Sequence, residues 1–345
     1  MADNTIGHAR AEIHITPSDL GRRVSVRRIL EVSQGRPVFG DVVGVLTSWD
    51  DGVLTVVDRT GAAVAIRQET LVAGKPVPPA PVRRGRGAVA AHRAVGTVEL
   101  GRIAARNWPA AETEPLGEWT LRASGGFTKR ANSVLVLGGS GLPLDRALER
   151  ARGWYDQRGL PTYLQVTTGA EDADDALDAR LAALGWTAEG SALEQTAPLS
   201  PLLDAAPRDG VRLDREPGPA WISRYHRAAD PTAAATALGV LRGGPSVWFA
   251  TVPDPDDPGA APAAIGRAVV DGRWVCFSAV EVSAGHRRRG LGSAVMAALA
   301  RAAADEGADL AYLQVESDNA AALAMYRRLG FATHHRYHYR RAPQE

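Results

Sequence analysis

A short internal repeat constrains the fold of this chain more than any other sequence feature. The tetrapeptide Tyr-Leu-Gln-Val stands at residues 163–166 and again at 312–315, which is 149 positions later. Downstream of each copy a helical stretch ends in Leu-Gly-aromatic, at residues 184–186 and 329–331, where the offset is 145. An identical segment with matching flanking elements is typical of a duplicated domain.

The duplication assigns most of the chain to two tandem domains of one fold. A predicted helix that ends at glycine precedes each copy, over residues 144–159 and 293–307. The length of 345 residues agrees with this, since roughly 150 residues per domain give two or three domains. We therefore predict a first domain of mixed helices and strands over residues 100–199 and a second over residues 210–345.

The amino-terminal part of the chain has a different pattern, with strands of about five residues joined by Gly/Asp turns and no helical period. Strands are predicted at residues 23–27, 42–47, 53–57 and 63–67. This pattern favours a small SH3-like barrel over residues 12–75. Residues 76–99, rich in proline and arginine at their start, are predicted to be a linker.

Composition excludes several classes of protein. Apolar residues make up 45% and charged residues 23% of the chain, which excludes wholesale disorder. The apolar stretches end well short of a membrane span, so no membrane partner is expected. The amino terminus lacks the features of a secretory signal, and the single cysteine, Cys276, cannot form an internal disulfide, so we expect a cytoplasmic protein. With a net charge of +1 no nucleic-acid partner is expected, and the basic residues 83–87 are interpreted as a solvated linker rather than a phosphate contact.

A strand, an Arg- and Gly-rich turn and a helix follow one another in the second domain. The strand is predicted over Trp274–Val282, the turn over residues 283–292 and the helix over residues 293–306. Glycines at 290 and 292 let the backbone approach a ligand, and the N–H groups of a turn at a helix N-terminus bind anions. Arginines 287–289 suit phosphate. The turn has neither the Lys-Ser/Thr of a nucleoside-triphosphate P-loop nor the glycine spacing of a Rossmann fold.

The spacing Arg287-x-x-Gly290-x-Gly292 resembles the acetyl-CoA pyrophosphate loop of the GCN5-related N-acetyltransferase (GNAT) family. A second family signature, N-x-x-A-x-x-x-Y-x-x-x-G-F, runs without a gap from Asn319 to Phe331. The resemblance implies an α/β (α+β) tandem GNAT fold, a mixed sheet with splayed central parallel strands, preceded by the small all-β SH3-like barrel. The layout is similar to an actinobacterial tandem-GNAT group with an N-terminal SH3-like domain.

The resemblance also implies roles for individual residues. Acetyl-CoA, as co-substrate, would lie between the strands at 274–282 and 310–315. The pantetheine arm would pair with the backbone near Val280 and Val282, and Tyr326 would protonate the departing thiolate. The other cofactor-binding residues would be Arg287, Arg288, Arg289, Gly290, Leu291, Gly292 and Ser293 at the pyrophosphate, with Asn319 and Ala322 at the cofactor arm.

The identity of the general base stays open. Acyl transfer from a thioester needs a neutral amine, a polarised carbonyl and a proton for the leaving thiolate. Histone-type members of the family place a glutamate early in the fourth strand, where this chain has Cys276. Glu281 on the same strand and Glu316 after the fifth are the alternative bases, acting directly or through water. Cys276 has no paired histidine in sequence and is predicted to be a buried small hydrophobe rather than a nucleophile.

The first repeat lacks the functional residues of the second. At an offset of 145, Asp174 and Leu181 stand where the second repeat has its asparagine and tyrosine. At an offset of 149, Gly138 and Pro143 replace the arginine and the second glycine of the loop, and proline has no N–H to donate. We predict a non-catalytic first repeat that shapes the substrate cleft or supports the second repeat.

These observations predict an N-acetyltransferase that moves an acetyl group from acetyl-CoA to a primary amine, of a small molecule or a protein, by direct transfer in a ternary complex. The alternative is a non-catalytic module that senses acyl-CoA, or a nucleic-acid or peptide adaptor led by the barrel. Residues 126–133 either line the substrate cleft or form only a hairpin. His334, His335 and His338 have no carboxylate or cysteine at ligand spacing, so we predict an exposed final strand there and no metal.

Overall fold

The structure is a computed structural model, and it describes residues 13–33, 36–58, 62–77, 92, 94–204, 208–228, 234–257 and 259–344. The chain divides into a small amino-terminal unit and a larger unit. Most of the predicted linker, residues 78–91 and residue 93, lies outside the described residues. A helix that begins at Thr97 overlaps the last three residues of the predicted linker, which therefore ends earlier than expected.

The small unit is an antiparallel sheet of five strands in the order β4-β3-β2-β1-β5. The strands are β1 (Arg23–Ser33), β2 (Arg36–Asp50), β3 (Val53–Asp58), β4 (Ala63–Arg67) and β5 (Leu71–Pro76). Alternate residues such as Val24 and Val26, or Leu54 and Val56, are fully buried. This is expected for a strand with one buried face, because successive side chains point to opposite faces of the sheet. The small β domain is confirmed, with longer strands than predicted, and its SH3-like assignment stays a prediction.

The larger unit combines helices and strands. Its described helices are α1 (Thr97–Asn107), α2 (Leu144–Asp156), α3 (Asp175–Ala183), α4 (Ser200–Leu203), α5 (Pro219–Arg224), α6 (Ala234–Arg242), α7 (Leu291–Asp305) and α8 (Ala320–Arg328). Its described strands are β6 (Glu112–Leu116), β7 (Trp119–Ala123), β8 (Val134–Val136), β9 (Tyr163–Thr168), β10 (Thr187–Pro198), β11 (Arg212–Asp214), β12 (Ser246–Val252), β13 (Ala264–Asp271), β14 (Trp274–Val282), β15 (Leu310–Glu316) and β16 (Ala332–Arg341). The strand predicted over Trp274–Val282 is confirmed without change.

These strands form one continuous sheet in the order β11-β12-β13-β14-β15-β10-β16-β9-β8-β7-β6. β10 belongs to the first repeat in sequence but lies between β15 and β16, while the final strand β16 pairs with β9 of the first repeat. The two repeats therefore exchange their last strands. The predicted exposed final strand at His334, His335 and His338 is wrong, because β16 has a partner strand on each side and His335 is only 3% exposed.

Equivalent positions of the two repeats have the same local structure. β8–β9 and β14–β15 are parallel pairs, and the other neighbouring strands of the sheet are antiparallel, so the predicted mixed sheet is confirmed. Asp174 Oδ1 accepts a hydrogen bond from Leu177 N (2.9 Å) at the start of α3. Asn319 Oδ1 accepts one from Ala322 N (3.1 Å) at the start of α8. The two caps are 145 residues apart, in agreement with the predicted alignment.

A buried arginine joins the two repeats next to the parallel strands. Arg267 on β13 is fully buried and donates to the carbonyls of Leu241 (2.6 Å), Gly243 (2.6 Å) and Asn107 (3.1 Å). Asn107, the last residue of α1, in turn donates to the Tyr312 hydroxyl on β15 (2.9 Å). A charge is tolerated inside a protein when its donors are satisfied in this way. These bonds fix α1 of the first repeat against β13 and β15 of the second.

Candidate active site

The parallel strands β14 and β15 separate halfway along their length. They pair over residues 274–277 and 310–313, and the pairing then stops although both strands continue. Here the register of β14 with β13 also shifts, around Ala279, whose φ of 50° is uncommon for a residue other than glycine. Such a bulge bends its strand. The backbone of residues 278–282 is thereby left without a strand partner on the side of β15.

A cavity of about 680 Å³ lies at this opening, within the range of small-molecule sites, roughly 300–1,000 Å³. Both repeats line it. From the second repeat the predicted residues Val280, Glu316, Asn319, Ala322 and Tyr326 contribute to its wall. The structure therefore brings five of the predicted site residues to one cavity.

The loop between β14 and α7 has the backbone of an anion site. Arg288 has a φ of 61° and Gly290 a φ of 79°, and left-handed residues of this kind turn neighbouring N–H groups to one side. The first hydrogen bond of α7 joins Ala294 N to Gly290 O (3.0 Å). The N–H groups of residues 291–293 therefore have no partner within the helix, as at every helix start. The predicted pyrophosphate loop has the donors that phosphate requires.

The two glycines of this loop have different local roles. Gly290 is needed for its positive φ. A Cβ on Gly292 would lie 2.9 Å from Met325 Sδ, so this glycine allows α7 to pack closely on α8. The loop also has a cation that the sequence analysis missed, since Arg208 Nη1 donates to the carbonyl of Arg289 (2.5 Å). Arg208 lies 81 residues away along the chain, and no local pattern signals the contact.

Tyr326 presents a buried phenol to the cavity. The residue is 8% exposed, and its ring packs edge-on against Phe331 with 5.8 Å between the centroids. Burial, together with the nearby Cys276 thiol, raises the pKa of Tyr326 to about 12, so its hydroxyl stays protonated at neutral pH. Cys276 is buried as predicted, and burial raises the pKa of its thiol, which opposes a thiolate nucleophile.

The two carboxylates predicted as bases are both paired. Glu281 Oε1 lies 2.5 Å from His226 Nδ1, and Glu281 Oε2 accepts a hydrogen bond from the His226 backbone N (3.3 Å). One carboxylate thus holds both the ring and the backbone of this histidine, which lines the cavity and leaves its Nε2 for other partners. Glu316 accepts a hydrogen bond from Arg227 Nη2 (2.6 Å) in an exposed ion pair. The sequence analysis missed His226, which is 55 residues from Glu281.

The first repeat lines the same cavity with residues 128–130, part of the segment left open between cleft wall and hairpin. Asn132 orders this segment, because its side chain accepts hydrogen bonds from the backbone of residues 124 and 126 and donates to the carbonyls of residues 127 and 128. The Arg130 guanidinium lies 5.2 Å from the ring centroid of Trp108. Lys129 forms an ion pair with Glu189. The segment therefore forms part of the cavity wall and adds two cations to it.

A buried carboxylate lies behind the cavity wall. Glu194 on β10 is 2% exposed, and its Oε2 accepts a hydrogen bond from Nε2 of Gln314, a cavity residue (2.7 Å). Its Oε1 has no hydrogen-bond partner. Burial raises the pKa of Glu194 to about 7, against a smaller lowering by Gln314. Burial also lowers the pKa of the neighbouring His335 to about 4. Glu194 belongs to no sequence motif, so the sequence analysis missed it. His335 was predicted to be exposed and without a carboxylate nearby, whereas it is buried 3.5 Å from Glu194.

The equivalent loop of the first repeat differs in ways that oppose phosphate binding. Pro143 stands at the N-cap of α2, the place that Gly290 occupies before α7, so the predicted equivalence with Gly292 is shifted by two residues. Asp145 lies in the first turn of α2 and brings a negative charge to the helix N-terminus. Both features agree with the predicted loss of function in this repeat.

Comparison with known families identifies the chain. Residues 97–340, well over half of its length and both repeats, match the family described as "Probable histone acetyltransferase Rv0428c C-terminal". The chain belongs to this family of GNAT-type N-acetyltransferases. The predicted GNAT membership is thereby confirmed, and with it acetyltransferase function as the general activity of the family. The actinobacterial grouping stays a prediction.

Individual proteins that are similar to this GNAT chain support the same family assignment. It is 29% identical over 248 residues to the "Uncharacterized N-acetyltransferase YobR" of Bacillus subtilis (strain 168), covering 70% of this chain and 97% of that protein. A GCN5-related N-acetyltransferase from Kribbella flavida has a TM-score of 0.54 at 19% identity, covering 73% and 98% of the two chains. A tandem GNAT protein from the clavulanic acid biosynthesis pathway has a TM-score of 0.51 at 16% identity, covering 75% and 93%. These structures show the GNAT-like α/β fold.

Among the described helices of this GNAT chain, none has the length and apolar character needed to cross a bilayer.

Proposed function

We propose that this protein transfers an acetyl group from acetyl-CoA to a primary amine, of a small molecule or a protein, by direct transfer in a ternary complex. The second repeat alone is catalytic in this proposal. The observation that carries it is the opening between β14 and β15, where unpaired strand backbone and a protonated tyrosine line one cavity, and β14 leads directly into the loop before α7. Each of these three parts suits one region of an acyl-CoA thioester.

The residues at the opening fit acetyl-CoA in charge and hydrogen bonding. The backbone N–H groups of residues 291–293, with the arginines 287–289 and Arg208, would hold the pyrophosphate. The unpaired backbone near Val280 and Val282 would bind the amides of the pantetheine arm, as a strand binds an added strand. The Asn319 Oδ1 caps α8, so its amide Nδ2 is the part available to this arm. When bound, acetyl-CoA supplies the activated acetyl thioester.

Tyr326 is proposed to stabilise the departing sulfur. Its raised pKa keeps the hydroxyl protonated, and a hydroxyl at the cavity wall can donate to a developing thiolate. An ordinary thiol has a pKa of about 8.5, well below that of Tyr326, so the departing thiolate is a weaker base than the Tyr326 phenolate. The first effect of Tyr326 is therefore a hydrogen bond to the sulfur, which is strongest when the negative charge develops.

Of the two carboxylates, Glu281 is the better base, and it acts through His226. The carboxylate holds the histidine at Nδ1, so Nε2 can accept the proton that the attacking amine loses. The imidazolium that forms is stabilised by the carboxylate beside it, the same division of roles as in a Ser-His-Asp triad. Glu316 is engaged by the Arg227 guanidinium, which makes it a weaker base.

Calorimetric titration of acetyl-CoA into the whole protein, followed by a thiol-release assay with a panel of amines and lysine peptides, tests the proposal. We expect one acetyl-CoA per chain. Tyr326→Phe should keep this binding and lower kcat by a factor on the order of 100, the usual range for loss of one hydrogen-bond donor to a developing negative charge. Tyr163→Phe is the matched control, because Tyr163 is also 8% exposed but lies on β9 outside the cavity.

Three results would contradict the proposal. No binding of acetyl-CoA would exclude the donor. Two sites per chain would show that the first repeat also binds it. Binding without turnover of any amine, together with an unchanged response of Tyr326→Phe, would favour the acyl-CoA-sensing alternative.

A further inference from the structure

Three potential metal ligands converge outside the cavity. Asp254 and Asp256 lie in the connection between β12 and β13, and His286 lies in the 3-10 turn that leads into the pyrophosphate loop. One ligand atom from each side chain lies within 4.8 Å of the other two. His286 Nε2 is 3.6 Å from Asp254 Oδ1 and 3.5 Å from Asp256 Oδ2. The two loops are thus brought together by groups that commonly bind metal.

His286 is buried with one ring nitrogen unpartnered. The residue is 8% exposed, and its Nδ1 lies 2.8 Å from Ser283 Oγ. Its Nε2 is buried and has no hydrogen-bond partner, although it faces the two carboxylates. Leaving such an atom unsatisfied costs about 1–3 kcal/mol. A buried polar atom that is directed between two carboxylates therefore needs a further partner.

The distances between the ligand atoms, and the hydrogen bonds that orient two of the ligands, suit a divalent ion. Nitrogen and oxygen ligands at roughly 2.0–2.1 Å from zinc are about 3.0–3.5 Å apart in tetrahedral or octahedral geometry. The observed separations of 3.5 and 3.6 Å need to close by only tenths of an ångström. The ligand atom Asp254 Oδ1 is oriented by the backbone N of Asp256 (3.0 Å), and His286 is oriented by Ser283. Metal-binding histidines are usually held through their other nitrogen in this way.

We propose that Asp254, Asp256 and His286 form a site for one divalent transition-metal ion, with zinc as the best fit to one imidazole and two carboxylates. Water completes the coordination, since Asp256 is 80% exposed in its side chain. The ion would tie the β12–β13 connection to the turn before Arg287. Its role is structural, because none of the three ligands is among the residues that line the cavity.

Zinc binding by the chelator-treated whole protein tests this proposal. We expect calorimetry to show one zinc ion per chain. Cobalt added in place of zinc should give the visible absorption of a protein-bound ion with a low coordination number. Asp256→Asn should weaken zinc binding at least tenfold without unfolding the protein, because the side chain is exposed. Asp257→Asn is the matched control, since Asp257 is adjacent but bonds to the backbone of Gly259 (2.9 Å).

Three outcomes would overturn the proposal. The first is no stoichiometric zinc binding, and the second is equal affinity in Asp256→Asn and in the unchanged protein. The third is an NMR spectrum in which the His286 ring stays doubly protonated in the presence of zinc, which would show that the cluster is an ion pair instead. Because these readouts are independent of acetyl transfer, their failure is distinct from failure of the proposed enzyme function.

Discussion

Replacement of Glu194 by glutamine should change the stability of this protein in a pH-dependent way. Glu194 is 2% exposed, with one oxygen bonded to Gln314 and the other without a partner. Burial raises the pKa of Glu194 to about 7, whereas a glutamate in the unfolded chain titrates near pH 4.3. Glutamine has a similar shape and stays neutral, so it removes the cost of the buried charge.

The sign follows from proton binding. Between about pH 4.3 and pH 7 the folded state holds the Glu194 proton while the unfolded state has lost it, so stability falls as the pH rises through this window. Above pH 7 the loss is complete and amounts to about 4 kcal/mol. At pH 5 only the first part of the loss has occurred, about 1 kcal/mol. Glu194→Gln should therefore stabilise the protein by about 2–3 kcal/mol more at pH 8 than at pH 5.

His335 has the opposite linkage and does not obscure this difference. Burial lowers the pKa of His335 to about 4, so its contribution to stability is present above the unfolded pKa of about 6.5 and is lost as the pH falls toward 4. Glu194 is charged only above about pH 7 and His335 only below about pH 4. The 3.5 Å contact between them is thus not an ion pair at any pH, and the His335 contribution cancels between variant and parent.

Urea unfolding at pH 5 and pH 8, followed by tryptophan fluorescence, measures the effect of Glu194→Gln. Glu189→Gln is a control of opposite sign. The hydrogen bond from Lys129 lowers the pKa of Glu189, so its stabilisation is already complete at pH 5, and its loss should cost less than about 1 kcal/mol at both pH values. If Glu194→Gln had the same effect at both pH values, or destabilised the protein at pH 8, the reasoning would be refuted.

The remaining predictions concern the base and the loop. His226→Ala should lower kcat at least tenfold, whereas Glu316→Gln should leave kcat within about twofold. The reverse order would assign the base to Glu316. Gly290→Ala should weaken acetyl-CoA binding in calorimetry, because a Cβ is strained by about 1–2 kcal/mol at its φ of 79°. Gly272→Ala is the control, because Gly272 has a φ of 59° but lies in the turn between β13 and β14. It should lower the stability of the protein by a similar amount and leave acetyl-CoA binding unchanged. Equal binding of acetyl-CoA by both variants would show that Gly290 is not part of the site.

The parts of the site that lie within one stretch of chain could be predicted. The strand Trp274–Val282 is mostly apolar and is followed at once by the glycine-containing loop and a helix, so order and spacing already indicate the geometry. Asn319 caps α8 three residues before its bonded N–H, which is a local relation as well. The repeat was visible because the strands containing Gln165 and Gln314 share the tetrapeptide Tyr-Leu-Gln-Val.

Contacts between distant segments could not be predicted. His226 reaches Glu281 across 55 residues and Arg208 reaches the loop across 81, and neither pair produces a periodic pattern. The final strand β16 alternates histidine, tyrosine and arginine, which is equally typical of an exposed edge and of a strand that crosses into a second repeat. Only the pairing of β16 with β10 and β9 decides between them, and pairing depends on the whole sheet.

The strand exchange gives the first predicted repeat a structural role at the cavity. Its strand β10 pairs with β15 from Ala192 to Pro198, and in doing so places Glu194 against Gln314 of the cavity wall. Its segment 128–130 completes another part of that wall. Without the first repeat, β15 would present an unpaired edge at the opening between the parallel strands. Residues of both predicted repeats therefore form the cavity wall.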